Sequence, residues 1–288
     1  MKHLPRPAWQ IFLATCLALG SFAANSLLCR RALGAELIDA GSFTAVRILS
    51  GTVMLVLVAL LRHGNARSKF AGSWLSGAAL FAYAIAFSLA YHHLSAGVGA
   101  LILFGSVQAT MIGVGIARGE RPRWLEWVGL VTALAGLAYL VLRRDTSASV
   151  LGFVLMASAG IAWGIYSLRG RGASDPIAAT AGNFLAATPL ALLAWLMLIP
   201  QLHITTTGLL LAIISGALTS GLGYVIWYLA LPGLTAMRAA LVQLSVPILT
   251  AVLAAILLHE PITARLVTAA ALVLGGIGLA VMGRLRRS

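Results

Sequence analysis

The sequence has few charged residues for its length. Only 9% of its 288 residues are Asp, Glu, Lys or Arg, while 60% are hydrophobic. An ordinary soluble domain carries about 25% charged residues and about 45–50% apolar ones. A chain this poor in charge could not cover a water-facing surface, which excludes a soluble enzyme, a DNA-binding domain and a disordered chain. The composition instead predicts an all-α polytopic membrane protein, in which apolar helices of about 20 residues cross the bilayer.

Acidic residues are the scarcer charged type, with 7 Asp and Glu against 20 Lys and Arg. An antiporter driven by protons or sodium usually keeps an ionisable group in its pathway. Because no carboxylate is expected at the bilayer midplane, we predict weakly coupled or uncoupled transport, driven by the substrate gradient. All seven acidic residues lie between apolar segments or near the ends of such segments: Glu36, Asp39, Glu120, Glu126, Asp145, Asp175 and Glu260.

Cysteine is rare, and the common catalytic motifs are absent. The two cysteines, Cys16 and Cys29, belong to one apolar segment and have neither a metal-site spacing nor the pattern of a disulfide framework. The sequence contains no H-E-x-x-H, no G-x-S-x-G and no G-x-x-x-x-G-K-[ST] motif. We therefore expect no catalytic residue, no metal site, no cofactor and no ATP-driven step in this chain, and we predict that it is not an enzyme.

Apolar segments long enough to span a membrane are abundant. Ten can be marked, and each approaches the length of about 20 residues that a spanning helix needs. The first segment is too long for the apolar region of a signal peptide, so we expect it to remain as a span. The segments are Ala8–Cys29, Ala40–Leu61, Trp74–Tyr91, Ala96–Ala117, Trp124–Leu142, Val150–Leu168, Pro176–Ile199, Gly208–Leu231, Thr235–Leu258 and Ile262–Met282.

Lys and Arg are distributed unevenly between the gaps. If the N-terminus is cytoplasmic, 13 of them fall on that side and 5 on the other, and only Arg47 and Arg238 lie inside segments. Cytoplasmic loops of membrane proteins carry the excess of Lys and Arg. The count predicts a multi-pass protein of the bacterial inner membrane with both termini cytoplasmic. It also accounts for the net charge of +13 without a nucleic-acid partner.

The two halves of the sequence are related by an offset of 140 residues. This offset predicts two five-helix repeats, at 8–144 and 150–284. Because five is odd, the second repeat enters the membrane from the opposite side, which is the inverted arrangement of many secondary transporters. The matched positions include Glu120 with Glu260, Gly136 with Gly276, and Arg144 with Arg284.

A short acidic motif follows the fourth segment of each half. It reads Gly-Glu-Arg-Pro at 119–122 and His-Glu-Pro at 259–261, and a Gly-containing fifth segment comes next. Together with the two five-helix repeats, these motifs resemble the EamA-type drug/metabolite transporter superfamily, and most of all its branch of aromatic amino acid exporters. The resemblance covers nearly the whole chain. It implies a ten-helix exporter of small metabolites whose central cavity is lined mainly by helices three, four, eight and nine, with helices one and six nearby.

Aromatic side chains inside the segments are the first candidates for substrate contact. Tyr83 and Phe87 lie four residues apart and therefore share a helix face. Trp163 has a glycine on each side within one turn, and such small residues let another helix or a ligand approach closely. Tyr224 adds a phenolic hydroxyl in the eighth segment. Each ring either packs against a helix or lipid, or lines a cavity for a flat, apolar molecule with polar ends.

Polar side chains within the apolar segments are the second set of candidates: Asn25, Gln108, Gln243 and Ser245. Leaving such groups unpaired in hydrocarbon costs several kcal/mol. They are therefore expected either to join helices by hydrogen bonds or to contact the substrate. Pro247 lacks a backbone N–H and so frees the carbonyl of Gln243, which could accept from a substrate ammonium or from a neighbouring helix.

Three charged residues have expected roles of their own. Arg47 lies about two turns inside the second segment, and we expect its side chain to snorkel to the interface. Binding of a substrate carboxylate by Arg47 is the alternative. Glu120 and Glu260 are expected to stabilise helix ends, because a carboxylate near a helix N-terminus contributes about 0.3–1 kcal/mol.

These features together predict a carrier that exports small amphipathic metabolites, in particular aromatic amino acids, by alternating access through a central cavity. Other amino acids, purines or drugs are the alternative substrates, and a membrane-embedded enzyme is the less favoured alternative. The expected partners are a small-molecule substrate and the lipid bilayer. A monomer is compatible with the sequence, which does not itself determine the oligomeric state, the coupling ion or the resting conformation.

Overall fold

A computed structural model of the chain describes residues 8–63, 71–117, 124–141, 149–170, 175–197, 202–230, 242–243 and 245–285. Every regular element in these ranges is helical, and their one β-type pairing is an isolated bridge between Ile38 and Ile204. The all-α fold class expected from composition is confirmed.

The helices follow the order of the apolar segments. Helix α8 is composite, because it is α-helical over Thr206–Ile214, π-helical over Ser215–Leu222 and α-helical again over Gly223–Ala230. The others are α1 (Ala8–Gly34), α2 (Ala40–His63), α3 (Trp74–Ala90), α4 (Ala96–Ala117), α5 (Trp124–Val141), α6 (Val150–Gly170), α7 (Pro176–Met197), α9 (Ser245–Leu257) and α10 (Ala264–Leu285).

Some helix ends differ from the apolar segments. Helix α1 continues past Cys29 to Gly34, which places Arg30 and Arg31 in its last turns. Helix α10 continues to Leu285 because its last turns tolerate basic residues at a membrane surface. Glu120, Asp145, Arg238 and residues 235–241 of the ninth segment lie outside the described residues.

Six of the described helices, α2, α3, α6, α7, α8 and α10, have starts fixed by side-chain caps. At each, an oxygen of a short polar side chain accepts a hydrogen bond from a backbone N–H in the first turn, as at Ser73 for α3 and Thr205 for α8. Such caps satisfy N–H groups that have no partner within the helix. The same bond is made by Asp39, Ser149, Asp175 and Thr263.

Several helices have the length and composition of membrane spans. By these criteria α1, α2, α4, α6, α7 and α8 could each cross a bilayer, and four shorter helical stretches, in α3, α5, α9 and α10, are also apolar. Large apolar side chains such as Phe12, Leu61 and Trp74 are exposed on the outside of the bundle. Exposed apolar surface of this extent suits hydrocarbon better than water.

The helices pack in a small set of pairs around a buried centre. Helix α5 makes its main contact with α10, α2 packs on α7, and α4 packs on α9. Helix α6 lies against α3 and α4, whereas α1 lies against α8 and α9. Helix α3 also contacts α7, and α2 contacts the π-helical part of α8.

Candidate functional site

A cavity lies between α1, α3, α4, α6 and α8, next to residues near the middle of each helix. Its empty space, including the part open to the surroundings, is about 390 Å³. The lining residues are Phe22, Asn25, Ser26, Tyr83, Phe87, Leu103, Phe104, Trp163, Thr219 and Tyr224. Five of the residues proposed from sequence are therefore brought together: Asn25, Tyr83, Phe87, Trp163 and Tyr224.

Trp163 is the centre of the aromatic wall of this cavity. Its ring centroid lies 4.9 Å from that of Tyr83 on α3 and 5.0 Å from that of Tyr224 on α8. Tyr83 in turn lies 5.3 Å from Phe87. These separations are typical of favourable aromatic pairs. The rings thus form a continuous apolar surface, and their contact with a substrate stays a prediction.

The glycines around Trp163 serve helix packing. A Cβ at Gly160 would lie 2.6 Å from the Leu103 carbonyl oxygen, and one at Gly164 would lie 3.0 Å from Thr110 Cβ. Both neighbours belong to α4. The small residues therefore admit α4 rather than a ligand, and this close approach positions Trp163 against the cavity.

Asn25 supplies the central polar group. Its Oδ1 accepts hydrogen bonds from Ser215 Oγ at 2.7 Å and from Thr219 Oγ1 at 3.0 Å. These bonds join α1 to the π-helical part of α8, and the side-chain amide nitrogen takes no part in them. Asn25 therefore fulfils the predicted interhelical role and also lines the cavity.

The expectation that Arg47 snorkels is wrong. Its side chain is only 2% exposed, because α3 and the π-helical part of α8 both cover this stretch of α2. Arg47 Nε donates to Ser220 Oγ at 3.1 Å, and Nη2 donates to the Tyr83 hydroxyl at 3.0 Å. The guanidinium group thus stays inside the bundle, in contact with two cavity-lining rings, those of Tyr83 and Phe87.

Three proposed site residues are not among those that line the cavity. Gln108 is buried one turn after Phe104 on α4, and Gln243 is half-buried ahead of α9. Ser245 Oγ donates to the Val242 carbonyl oxygen at 2.6 Å, so its hydroxyl is used by the backbone just ahead of α9. Within the described residues, α9 contributes none of the lining, in contrast to the role that the family resemblance implies for helix nine.

Several lining residues were missed from sequence, namely Phe22, Ser26, Leu103, Phe104 and Thr219. Helical spacing could have found Phe22, which lies three residues before Asn25, and Ser26, which lies four residues after Phe22 on the same face. Thr219 and Tyr224 are five residues apart, which in a regular α-helix separates them by about 140°. The wider π turns reduce this angle, and the sequence pattern gives no sign of them.

Glu260 lies at one end of the bundle and joins three elements. Its Oε1 accepts from Arg30 Nε at 2.9 Å, and Oε2 accepts from the Ala96 backbone N–H at 2.7 Å. Arg30 also donates to the Tyr91 carbonyl oxygen. The carboxylate therefore occupies the positive N-terminus of α4, as expected for a helix-stabilising residue, but the helix belongs to the other half of the chain.

The chemistry of the cavity is that of binding. Its lining has aromatic, amide and hydroxyl groups, with the charge of Arg47 directly behind two of its rings. In the described part of the chain, no three His, Cys, Asp or Glu residues are grouped so that they could hold a metal ion. Such a lining can hold an aromatic molecule by its faces and its polar ends by hydrogen bonds.

Comparison with known proteins links the chain to transporters. The model of the EamA-like transporter family matches residues 150–282. The uncharacterized protein PA1977 of Pseudomonas aeruginosa is 50% identical over 98% of both chains. An uncharacterized transporter of Archaeoglobus fulgidus is 26% identical, with 84% of this chain and 94% of that protein aligned.

Two more distant matches complete the comparison. The aromatic amino acid exporter YddG of Escherichia coli is 26% identical, with 82% of this chain and 85% of the exporter aligned. A chain of known crystal structure shares the fold with a TM-score of 0.67 at 20% identity, over 96% of this chain and 98% of its own length.

Proposed function

Because the chain belongs to the EamA-type transporter superfamily, we propose that it exports small amphipathic metabolites, in particular aromatic amino acids, through the cavity around Trp163. The observation that carries this proposal is the aromatic wall of the cavity, whose rings come from α3, α6 and α8. Its rings suit the flat side chain of such a substrate, while Asn25 and Thr219 offer polar groups for its charged end. The Escherichia coli relative is an exporter of this substrate class.

Alternating access between two inverted five-helix repeats is the mechanism that we propose. The helix pairs support it. If each helix is exchanged with its counterpart in the other repeat, α1 with α6, α2 with α7 and so on, most observed pairs become other observed pairs. The α3–α6 pair becomes α8–α1, α4–α6 becomes α9–α1, and α3–α7 becomes α8–α2. The α2–α7, α4–α9 and α5–α10 pairs map onto themselves. This is the pattern expected of a two-fold axis between the repeats.

The contact between α5 and α10 supports the same axis at the level of single residues. A Cβ at Gly136 would lie 3.0 Å from Val273 Cγ2, and one at Gly276 would lie 2.6 Å from the Ala133 backbone nitrogen. Gly136 and Gly276 are 140 residues apart, and so are Ala133 and Val273. The two contacts are therefore each other's equivalents under the offset found in the sequence.

Contacts between loops support the proposed topology of a multi-pass membrane protein. Arg30, in the last turns of α1, pairs with Glu260 after α9, and Asp39 after α1 is hydrogen-bonded to His203 after α7. Ala71, after α2, donates to the Ala178 carbonyl oxygen in the first turn of α7. These described contacts support odd and even connections at opposite ends, as in helices that cross a membrane alternately. We place the even end and both termini in the cytoplasm of a bacterial cell, on the positive-inside rule.

Counterflow in proteoliposomes tests the proposed function. Vesicles with purified protein and loaded with unlabelled L-tryptophan or L-phenylalanine should accumulate the radiolabelled amino acid transiently, and empty liposomes should not. Other amino acids, nucleobases and a cationic drug form the comparison panel. If no aromatic amino acid moves faster than through empty liposomes, the proposed substrate is wrong.

A variant at the centre of the wall links transport to the cavity. Trp163→Ala removes the ring that contacts both Tyr83 and Tyr224, and transport efficiency for aromatic amino acids should fall by about tenfold or more. Trp127→Ala is the matched control, because Trp127 lies on α5 with 49% of its surface exposed. Equal transport by the two folded variants would remove Trp163 from the site.

A further inference from the structure

Arg47 is a buried cation without a counter-ion. In the part of the chain that the structure describes, ion pairs join Arg30 to Glu260 and Arg62 to Asp175, and no carboxylate reaches Arg47. Its hydrogen-bond partners are the neutral hydroxyls of Ser220 and Tyr83. The third nitrogen, Nη1, is buried and has no hydrogen-bond partner. A charge in this state is costly unless an anion completes its environment.

A purely structural role does not account for this arrangement. Even a buried ion pair can often be replaced by apolar side chains of similar volume without loss of stability, and a buried charge without a paired carboxylate contributes still less. The contacts of Arg47 are two neutral hydroxyls and the faces of two rings, whose centroids both lie 5.2 Å from the guanidinium carbon. These contacts hold the guanidinium in place but leave one of its donor groups unused. The chain thus keeps a positioned anion-binding group inside the bundle.

The guanidinium group of Arg47 lies next to two side chains of the cavity wall. Tyr83 and Phe87 line the cavity and at the same time contact the guanidinium group. Arg47 Nη2 donates to the Tyr83 hydroxyl, and a phenolic hydroxyl that accepts one hydrogen bond can still donate another. A carboxylate in the cavity near Tyr83 would therefore meet a polarised hydroxyl and a fixed positive charge, the pairing that makes charge-assisted hydrogen bonds strong.

We propose that Arg47, together with the Tyr83 hydroxyl, recognises the carboxylate of the transported molecule. This inference rests on the proposed function and narrows its substrate class to molecules with an aromatic body and one carboxylate. The carboxylate supplies the missing counter-ion, and the aromatic body lies along the Trp163 wall. Aromatic amines without a carboxylate are rejected, because their positive charge is repelled and Arg47 stays unpaired.

Three small probes separate the charged ends of the substrate. L-phenylalanine carries both ends, 3-phenylpropanoate carries the carboxylate alone, and 2-phenylethylamine carries the ammonium alone. The increase in melting temperature of the purified protein in detergent is measured as each probe is titrated, which gives an apparent Kd. Both carboxylates should bind at least about tenfold more tightly than the amine, as expected for a hydrogen bond to a charged group.

Variants then assign this preference to one side chain. Arg47→Gln should abolish the preference for carboxylates, and Arg47→Lys should keep it in weaker form because the charge remains without the planar fork. Arg265→Gln is the matched control, since Arg265 lies at the start of α10 and donates to the Tyr139 carbonyl oxygen. Its apparent Kd values should equal those of the unaltered protein. Arg47→Lys and the unaltered protein decide the question if Arg47→Gln does not fold.

The outcomes distinguish this inference from the proposed function. If the amine binds as tightly as the carboxylates, or if Arg47→Gln keeps the preference, Arg47 does not recognise the carboxylate. If carboxylates bind in an Arg47-dependent way while counterflow of aromatic amino acids fails, the inference stands and the proposed substrate is wrong. If none of the three probes binds, both are wrong.

Discussion

At the scale of single residues, the Arg47–Tyr83 hydrogen bond is the contact on which the interior depends most directly. Tyr83 is one of only two side chains that offer an oxygen to the guanidinium group among the described residues, and both residues are almost fully buried. A charged donor that loses its acceptor inside a protein cannot turn to water instead. The bond should therefore contribute to stability as well as to the geometry of the cavity.

The substitution Tyr83→Phe tests this bond. It removes the hydroxyl but keeps the ring, so the free energy of unfolding should fall by about 1–3 kcal/mol. The melting temperature of the purified protein in detergent should be lower than that of the unaltered chain. Tyr139→Phe is the control, because 44% of Tyr139 is exposed and the melting temperature should hardly change. An equal melting temperature for Tyr83→Phe would mean that the Arg47 contact adds nothing to stability.

At the scale of elements, the π-helical part of α8 brings that helix unusually close to α2. A Cβ at Gly216 would overlap the Arg47 carbonyl oxygen and Ser50 Oγ. This approach places Ser220 against Arg47 and Thr219 against Asn25. The wider π turns of α8 thus place Ser220 and Thr219 in the interior of the bundle. Such turns occur frequently at functional sites.

Gly216→Ala tests the importance of this approach. Because the overlap involves a backbone oxygen, α8 must move away from α2, and both the melting temperature and the affinity for L-phenylalanine should fall. Alanine is a better helix former than glycine. At a helical position with free space for a Cβ, the same substitution should therefore lower neither the melting temperature nor the affinity. Gly20→Ala provides such a site, since nothing lies within 4 Å of a Cβ there. A Gly216→Ala protein as stable and active as Gly20→Ala would show that α2 and α8 do not need this contact.

At the scale of the whole molecule, the proposed inverted repeat predicts where equivalent loops lie. Ala35 follows α1 and Ser174 follows α6, one residue from equivalence under the 140-residue offset, and the five helices between them would put the two on opposite sides of the membrane. In a chain with Cys16 and Cys29 replaced by alanine, Ala35→Cys should react with an impermeant maleimide added outside spheroplasts. Ser174→Cys should react only after the membrane is permeabilised. Labelling of both from the same side would contradict the inverted arrangement.

Much of the fold could be read from the sequence because hydrocarbon imposes a simple demand. A backbone in lipid must satisfy its own hydrogen bonds, so long apolar segments become helices whatever their neighbours are. The segments near Ala40–His63 and Ala96–Ala117 were located to within a few residues on this ground. Helix ends were less certain where polar residues extend a helix past the apolar segment, as Arg30 and Arg31 do in α1.

Composition and spacing alone determined that this chain is helical and belongs in a membrane, since these properties depend on local sequence. The tertiary structure decided which of many buried aromatic and polar residues face one another. It placed Trp163 against Tyr83 and Tyr224, bonded the Ser245 hydroxyl to the backbone just ahead of α9, and buried Arg47 where snorkelling was expected. These outcomes depend on how neighbouring helices, including the π turns of α8, cover each side chain, and no single segment contains that information.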